Sequence, residues 1–173
     1  MRLERLPAGR RVYVDANICL YHFTGVSPQW TAFLARCERG DLAGVMGAHV
    51  LAEVAHRLMT IEAVRRGLVP PGNVAAKLRA QPGLVRALST YQADVDTLLT
   101  IGIEVLPLDA DVFAASAVFR REHGLLVNDS LTLAQLRRGR IETLASSDRD
   151  FTRVPGIRIY LPNDLPASLG TGG

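Results

Sequence analysis

Short runs of β-branched and aromatic residues, each closing on a polar residue, alternate along this chain with longer stretches whose apolar positions recur every three or four residues. Arg11-Val12-Tyr13-Val14 ends at Asp15 and predicts a buried strand with a carboxylate at its tip. Leu42 to Met46, Ile103 to Leu108, Glu142 to Ser146 and Ile157 to Leu161 predict four more strands. Helical spacing runs from Thr31 to Glu38, and more strongly from Ala48 to Gly67, where Val50, Leu51, Val54, Leu58 and Ile61 share a stripe and Glu53 lies in the first turns. Asp109 to His123, closed by Gly124, and Asp129 to Arg138 predict two further helices. Between Pro70-Pro71-Gly72 and Gly102 the pattern is that of a helical hairpin interrupted at Pro82-Gly83, an elaboration without a chemical motif. The tail beyond about residue 163, rich in glycine at its end, is expected to fray.

Strands alternating with helices predict an α/β domain in which a mostly parallel sheet is covered on both faces. The 173 residues, 48% hydrophobic and 21% charged, suit one such domain with a core of its own. No stretch approaches the roughly 18 apolar residues of a membrane span, and no signal-type apolar run follows the start. A cytoplasmic protein without membrane contact is the expectation. Cys19 and Cys37 sit at a spacing no zinc motif uses, which predicts reduced, buried thiols. The net charge is +3, and lysine occurs once, at Lys77, so arginine supplies almost all of the positive charge. Its planar fork suits phosphate, which permits a nucleic-acid partner without demanding one.

In a parallel sheet the ligand crevice lies beyond the carboxyl ends of the strands. Asp15 and Asp148 follow directly on such ends, and Glu53 and Asp129 fall near helix starts that open on the same crevice. Taken singly, each has a plainer reading: a strand-end turn for Asp15, a solvated helix position for Glu53, an N-cap for Asp129 and a turn for Asp148. Jointly they predict converging carboxylates, whose repulsion a divalent cation would relieve. Oxygen-only ligation favours a hard ion, Mg²⁺ or Mn²⁺, as one ion or two. Asn17, Ser130, Ser146 and Ser147 are small polar neighbours suited to orienting a bound water, and Asp150 stands at the rim as a fifth acid. Arg57, Arg149 and Arg153 lie nearest these positions and are the candidate contacts to a nucleic-acid phosphate backbone. His22, His49, His56 and His123 show no metal-binding spacing. A phosphoacceptor domain would want a lysine after a late strand, and a haloacid-dehalogenase phosphatase a carboxylate where Asn17 stands. Dinucleotide binding lacks its glycine-rich turn.

Val12-Tyr13-Val14-Asp15-Ala16-Asn17, Glu53 on its helix, Asn128-Asp129-Ser130-Leu131 and Ala145-Ser146-Ser147-Asp148-Arg149-Asp150-Phe151 resemble, in order and spacing, the acidic motifs of PIN-domain ribonucleases, especially the VapC toxins of prokaryotic toxin–antitoxin pairs. The resemblance runs from about Arg11 to Pro162. It implies a three-layer α/β/α sandwich and metal-dependent cleavage of RNA. Asp15, Glu53, Asp129 and Asp148 match the catalytic and metal-binding quartet, and Asn17 and Ser147 its supporting positions. A homodimer and a small antitoxin partner are also implied. The segment from Pro70 to Gly102 departs from the family by its length. A processing nuclease that is not a toxin, or a non-catalytic RNA-binding scaffold, fits the same motifs.

Overall fold

The computed structural model describes residues 1–164; the tail expected to fray lies largely outside the described residues. Five strands, β1 (Arg11–Val14), β2 (Ala43–Gly47), β3 (Glu104–Leu106), β4 (Thr143–Ala145) and β5 (Arg158–Tyr160), form one sheet in the order β3-β2-β1-β4-β5. All four pairings are parallel. Eight helices connect and cover them: α1 (Ala16–Phe23), α2 (Pro28–Glu38), α3 (Ala48–Arg65), α4 (Val74–Ala80), α5 (Pro82–Arg86), α6 (Thr90–Thr100), α7 (Ala110–His123) and α8 (Val127–Arg138). The α/β sandwich with a parallel central sheet is thus as the sequence predicts.

The core lies between β1, β2, β4 and the flanking helices, where Val12, Tyr13, Val14, Val45, Met46, Leu144 and Ala145 are all essentially inaccessible. Strands buried on both faces have no polar alternation, which is why they read in the sequence as continuous apolar runs. The predicted Asp109 helix starts as expected. The Asp109 carboxylate accepts from the Val112 amide at 2.9 Å, and Gly124 closes α7 with φ of +63°.

Several boundaries differ. The helix α1 was not anticipated, because Ala16, Ile18, Cys19 and Leu20 are all buried and leave no one-sided stripe. The second helix begins at Pro28, three residues before Thr31, because the Ser27 hydroxyl caps it by accepting from the Trp30 amide at 3.3 Å. Pro82 starts α5 at its first turn and does not merely interrupt a hairpin, so 74–100 holds three helices. The last long helix starts at Val127, which makes Asp129 its third residue and removes the N-cap reading. Both cysteines are free and buried. Among the described residues no helix is long and apolar enough to cross a membrane.

Candidate active site

The strand order reverses direction at β1, with β2 on one side and β4 on the other, and such a switch point opens a crevice beyond the carboxyl ends. Register decides what occupies it. Val14 pairs with Ala145, so the next residue on each strand, Asp15 and Ser146, are neighbours at the mouth. The buried Ser146 hydroxyl donates to one Asp15 carboxylate oxygen at 2.6 Å and accepts from the Asp148 amide at 2.9 Å. The other Asp15 oxygen accepts from the Ala16 amide at 2.7 Å and caps α1. Asp148 in turn accepts from the Asp150 amide at 2.7 Å, at the start of a 3₁₀ turn over Asp150–Arg153. A hydrogen-bonded chain from Asp15 through Ser146 to the Asp148 backbone, and from the Asp148 carboxylate to the Asp150 amide, therefore holds the Asp15 and Asp148 carboxylates in place, while the Asp150 carboxylate pairs with Arg153 at 2.6 Å.

Asp129 reaches them from the first turn of α8. Its carboxylate and those of Asp148 and Asp150 each offer an oxygen, all within 4.8 Å of one another. Burial, reinforced by Asp148, Asp15, Asp150 and Glu53, pushes the Asp129 carboxyl up to about 6. Asp15 is likewise raised to about 6, chiefly by burial, with Glu53 and Asp148 adding to the effect against the pull of Ser146 and the Ala16 amide. Two half-buried carboxyls held well above the ordinary carboxylate range mark excess negative charge. Ligands of an octahedral hard cation, at ~2.1 Å each from the ion, lie about 3 Å apart when adjacent and about 4 Å when opposite, so three oxygens within 4.8 Å need close only slightly to hold one. The donor set is all oxygen, with no thiolate or imidazole among the three, and fits a divalent cation of that class.

Glu53 and Asn17 form the adjoining wall. Asn128 donates to Glu53 at 3.3 Å, and Arg57, one turn along α3, bridges to the Asn17 amide oxygen at 3.1 Å and to Glu53 at 3.6 Å. Beneath them is a buried polar layer. Tyr13 donates to Gln135 at 2.6 Å, Gln135 donates to the Pro107 carbonyl at 3.0 Å, and His49 meets the Thr132 hydroxyl at 3.2 Å. His49 is thus a packing residue, and burial lowers its pKa.

Residues 12–157 match the family described as PIN domain. The chain belongs to the PIN-domain family. Ribonuclease VapC13 of Mycobacterium tuberculosis is 28% identical over 152 residues, covering 85% of this chain and 97% of that one. Ribonuclease VapC2 of Methanocaldococcus jannaschii is 21% identical over 151 residues, covering 86% and 92%. Among solved structures, VapBC2 from Rickettsia felis, bound to a DNA fragment from its promoter, superposes with a TM-score of 0.59 at 17% identity, over 87% of this chain and 98% of that one.

Of the acids singled out in the sequence, this PIN domain brings Asp129, Asp148 and the rim acid Asp150 together, the last at the start of the 3₁₀ turn. Asp15 joins through Ser146, and Glu53 flanks the group through Asn128. Asn17 stands at the rim with Arg57. Ser147 is half-buried, and among the described residues its side chain makes no hydrogen bond; the bonds expected of it come from Ser146. The signal for Ser146 was in the sequence, since it follows β4 as Asp15 follows β1. Arg153 is committed to Asp150, at 2.6 Å through its guanidinium and 3.0 Å to the Asp150 carbonyl, while Arg149 is exposed.

Proposed function

We propose that the chain is a metal-dependent endoribonuclease and acts as the toxin of a VapBC-type pair in the cytoplasm. The convergence of Asp129, Asp148 and Asp150, with Asp15 tied to them through Ser146, carries this reading. The names of the relatives, ribonucleases in two cases, support the activity. The Rickettsia felis assembly, a VapBC, supports a small antitoxin partner.

In this reading Asp129, Asp148, Asp150 and Asp15 hold Mg²⁺ or Mn²⁺, as one ion or two. When bound, such an ion neutralises charge on a phosphodiester and lowers the pKa of a coordinated water. Ser146 keeps the Asp15 carboxylate and the Asp148 backbone in fixed relation, so the donor atoms need little reorganisation. Glu53 stands outside the carboxylate triad and takes the proton of the attacking water. Arg57 presents its guanidinium beside Glu53 and Asn17, where it faces the phosphate on the flanking nucleotide. Arg149 offers a second exposed cation, and Arg153 steadies Asp150. A homodimer completes the toxin reading.

Incubation with a panel of structured and single-stranded RNAs tests this directly. Cleavage is expected with Mg²⁺ or Mn²⁺ and not with chelator, and it should return when the ion is restored. Intact RNA under every metal condition would overturn the nuclease reading. Growth arrest on expression, relieved by a co-expressed small neighbour, separates the toxin from a processing enzyme.

A further inference from the structure

One stretch of the chain carries cations without acids. Between Glu62 and Asp94 the chain carries Arg65, Arg66, Lys77, Arg79 and Arg86 and no carboxylate. That segment holds an excess of five cations, whereas the whole chain has 20 against 17, an excess of three; the remainder is therefore two acids in excess. We infer that the α4–α5 part of the elaboration, which lies ahead of Asp94 and Asp96 on α6, is a phosphate-binding arm that grips RNA beyond the cleavage site. The inference rests on the ribonuclease reading for the identity of the polyanion.

The arm is built as a rigid unit. Ala63, Val69, Leu78 and Leu88 form a small core of their own, separate from that beneath the sheet. The buried Glu62 carboxylate accepts from the Ser89 amide at 3.1 Å and the Tyr91 amide at 2.9 Å, which ties the start of α6 to the end of α3. Lys77 is spent internally on the carbonyls of Pro70, Pro71 and Gly72, at 2.9, 3.0 and 2.6 Å. Arg66 is likewise held between Glu62, at 3.0 Å, and the Ala87 carbonyl, at 2.6 Å. Arg79 and Arg86 are exposed, and among the described residues neither makes a hydrogen bond or ion pair. Two guanidinium groups without partners on a preorganised surface are suited to phosphate, which each can grip in bidentate fashion.

The arm is also joined to the acidic site by a continuous seam. Arg57 on α3 meets Asn17 near the start of α1, and Arg65 further along α3 reaches the Thr24 carbonyl at its end, at 3.4 Å. The two helices therefore run side by side away from the crevice. Arg66 follows Arg65 and contacts Ala87, the neighbour of Arg86. From Arg57 to Arg65 the helix rises about 12 Å at ~1.5 Å per residue. At ~3.4 Å per stacked nucleotide that is roughly four nucleotides. A substrate that follows α3 from Arg57 to the base of the arm spans at least that length, so the arm is expected to favour long RNA over short oligonucleotides. A surface charge placed only for solubility would need neither the seam nor the support.

Anisotropy of a labelled hairpin RNA, measured in chelator so that no cleavage intervenes, tests the arm in the full chain. Arg79→Ala/Arg86→Ala is expected to weaken binding roughly tenfold near ~0.1 M salt and to lower the salt slope by about 1.4 to 1.8, the share of two phosphate contacts. Arg79→Lys/Arg86→Lys should keep the slope and most of the affinity. In Mn²⁺ the alanine pair should raise KM for the hairpin and leave cleavage of a trinucleotide unchanged. Equal affinity and equal salt slope in wild type and the alanine pair would overturn the inference. So would loss of an acidic protein partner with RNA affinity intact. Arm-dependent RNA binding by a wild type that cuts nothing in Mn²⁺ would uphold the arm and remove only the nuclease reading.

Discussion

Replacing Asp129 by Asn is expected to lower RNA cleavage by roughly 10³-fold or more while making the metal-free protein more stable at neutral pH. The loss follows because the amide keeps the shape but gives up the anionic oxygen that meets those of Asp148 and Asp150. The gain in stability follows from the raised carboxyl. Its ordinary value of 3.8 becomes about 6 in the folded protein, chiefly through burial, so the folded state keeps this proton where the unfolded chain has released it. Folding is therefore penalised progressively as pH rises from about 4 to about 6, and the penalty is complete above that. A shift of about two units corresponds to at most ~3 kcal/mol, and partial exposure reduces it to about 1–2 kcal/mol. Asp129→Asn removes that penalty. Its melting temperature should exceed the wild-type value at pH 7.5, and the difference should vanish near pH 4. A variant that is inactive and also less stable at pH 7.5 would show Asp129 to be a structural residue.

Gly47→Ala is expected to destabilise the protein by about 2–5 kcal/mol. Gly47 has ordinary extended dihedrals, φ −80° and ψ 151°, so its backbone would accept any residue. The obstacle is space. A methyl group there would lie 2.5 Å from the Tyr13 hydroxyl and 2.6 Å from His49 Cε1, and closer still to the Gln135 amide oxygen. Accommodating it must part the buried Tyr13–Gln135 hydrogen bond, adding the cost of unpaired buried groups to that of overpacking. At roughly 2–4 °C per kcal/mol for a chain of this length, thermal unfolding should move down by about 10 °C. Gly83→Ala serves as the comparison. Gly83 lies in α5 with only the Arg86 side chain near, at 3.9 Å, and alanine there should be neutral or mildly stabilising. Equal melting temperatures for the two variants would contradict the packing account. Because Gly47 is also where β2 passes into α3, the same change should displace Glu53 and reduce cleavage.

How much of this was legible in the sequence differs from residue to residue, for physical reasons. Asp15 and Asp148 were readable because an apolar run that stops at a carboxylate shows where a buried strand leaves the core. Asp129 was readable as a motif but not as a helix position. Every residue of α8 from Ser130 to Leu136 is buried, so the helix carries no periodic stripe to mark its start. Ser146 was legible only as one of several small polar neighbours, with Ser147 in the supporting position, because only the pairing of Val14 with Ala145 brings Ser146 beside Asp15. Asp150 depended on a four-residue 3₁₀ turn that no sequence pattern announces. The 70–102 elaboration was visible as a length and a composition, but its separate core was not. That core is assembled from Ala63, Val69, Leu78 and Leu88, contributed by two helices and two loops. Arg153, a candidate for RNA by its charge and place after Asp148, also pairs with Asp150, which the sequence did not indicate.

The central claim is that carboxylates from separate elements share a hard divalent cation at the β1–β4 switch point. Calorimetric titration of Mn²⁺ into wild type and Asp129→Asn at pH 7.5 tests it most directly. Saturable binding by the wild type, and binding weakened at least about a hundredfold in the variant, is the predicted result; indistinguishable isotherms from the two proteins would contradict it.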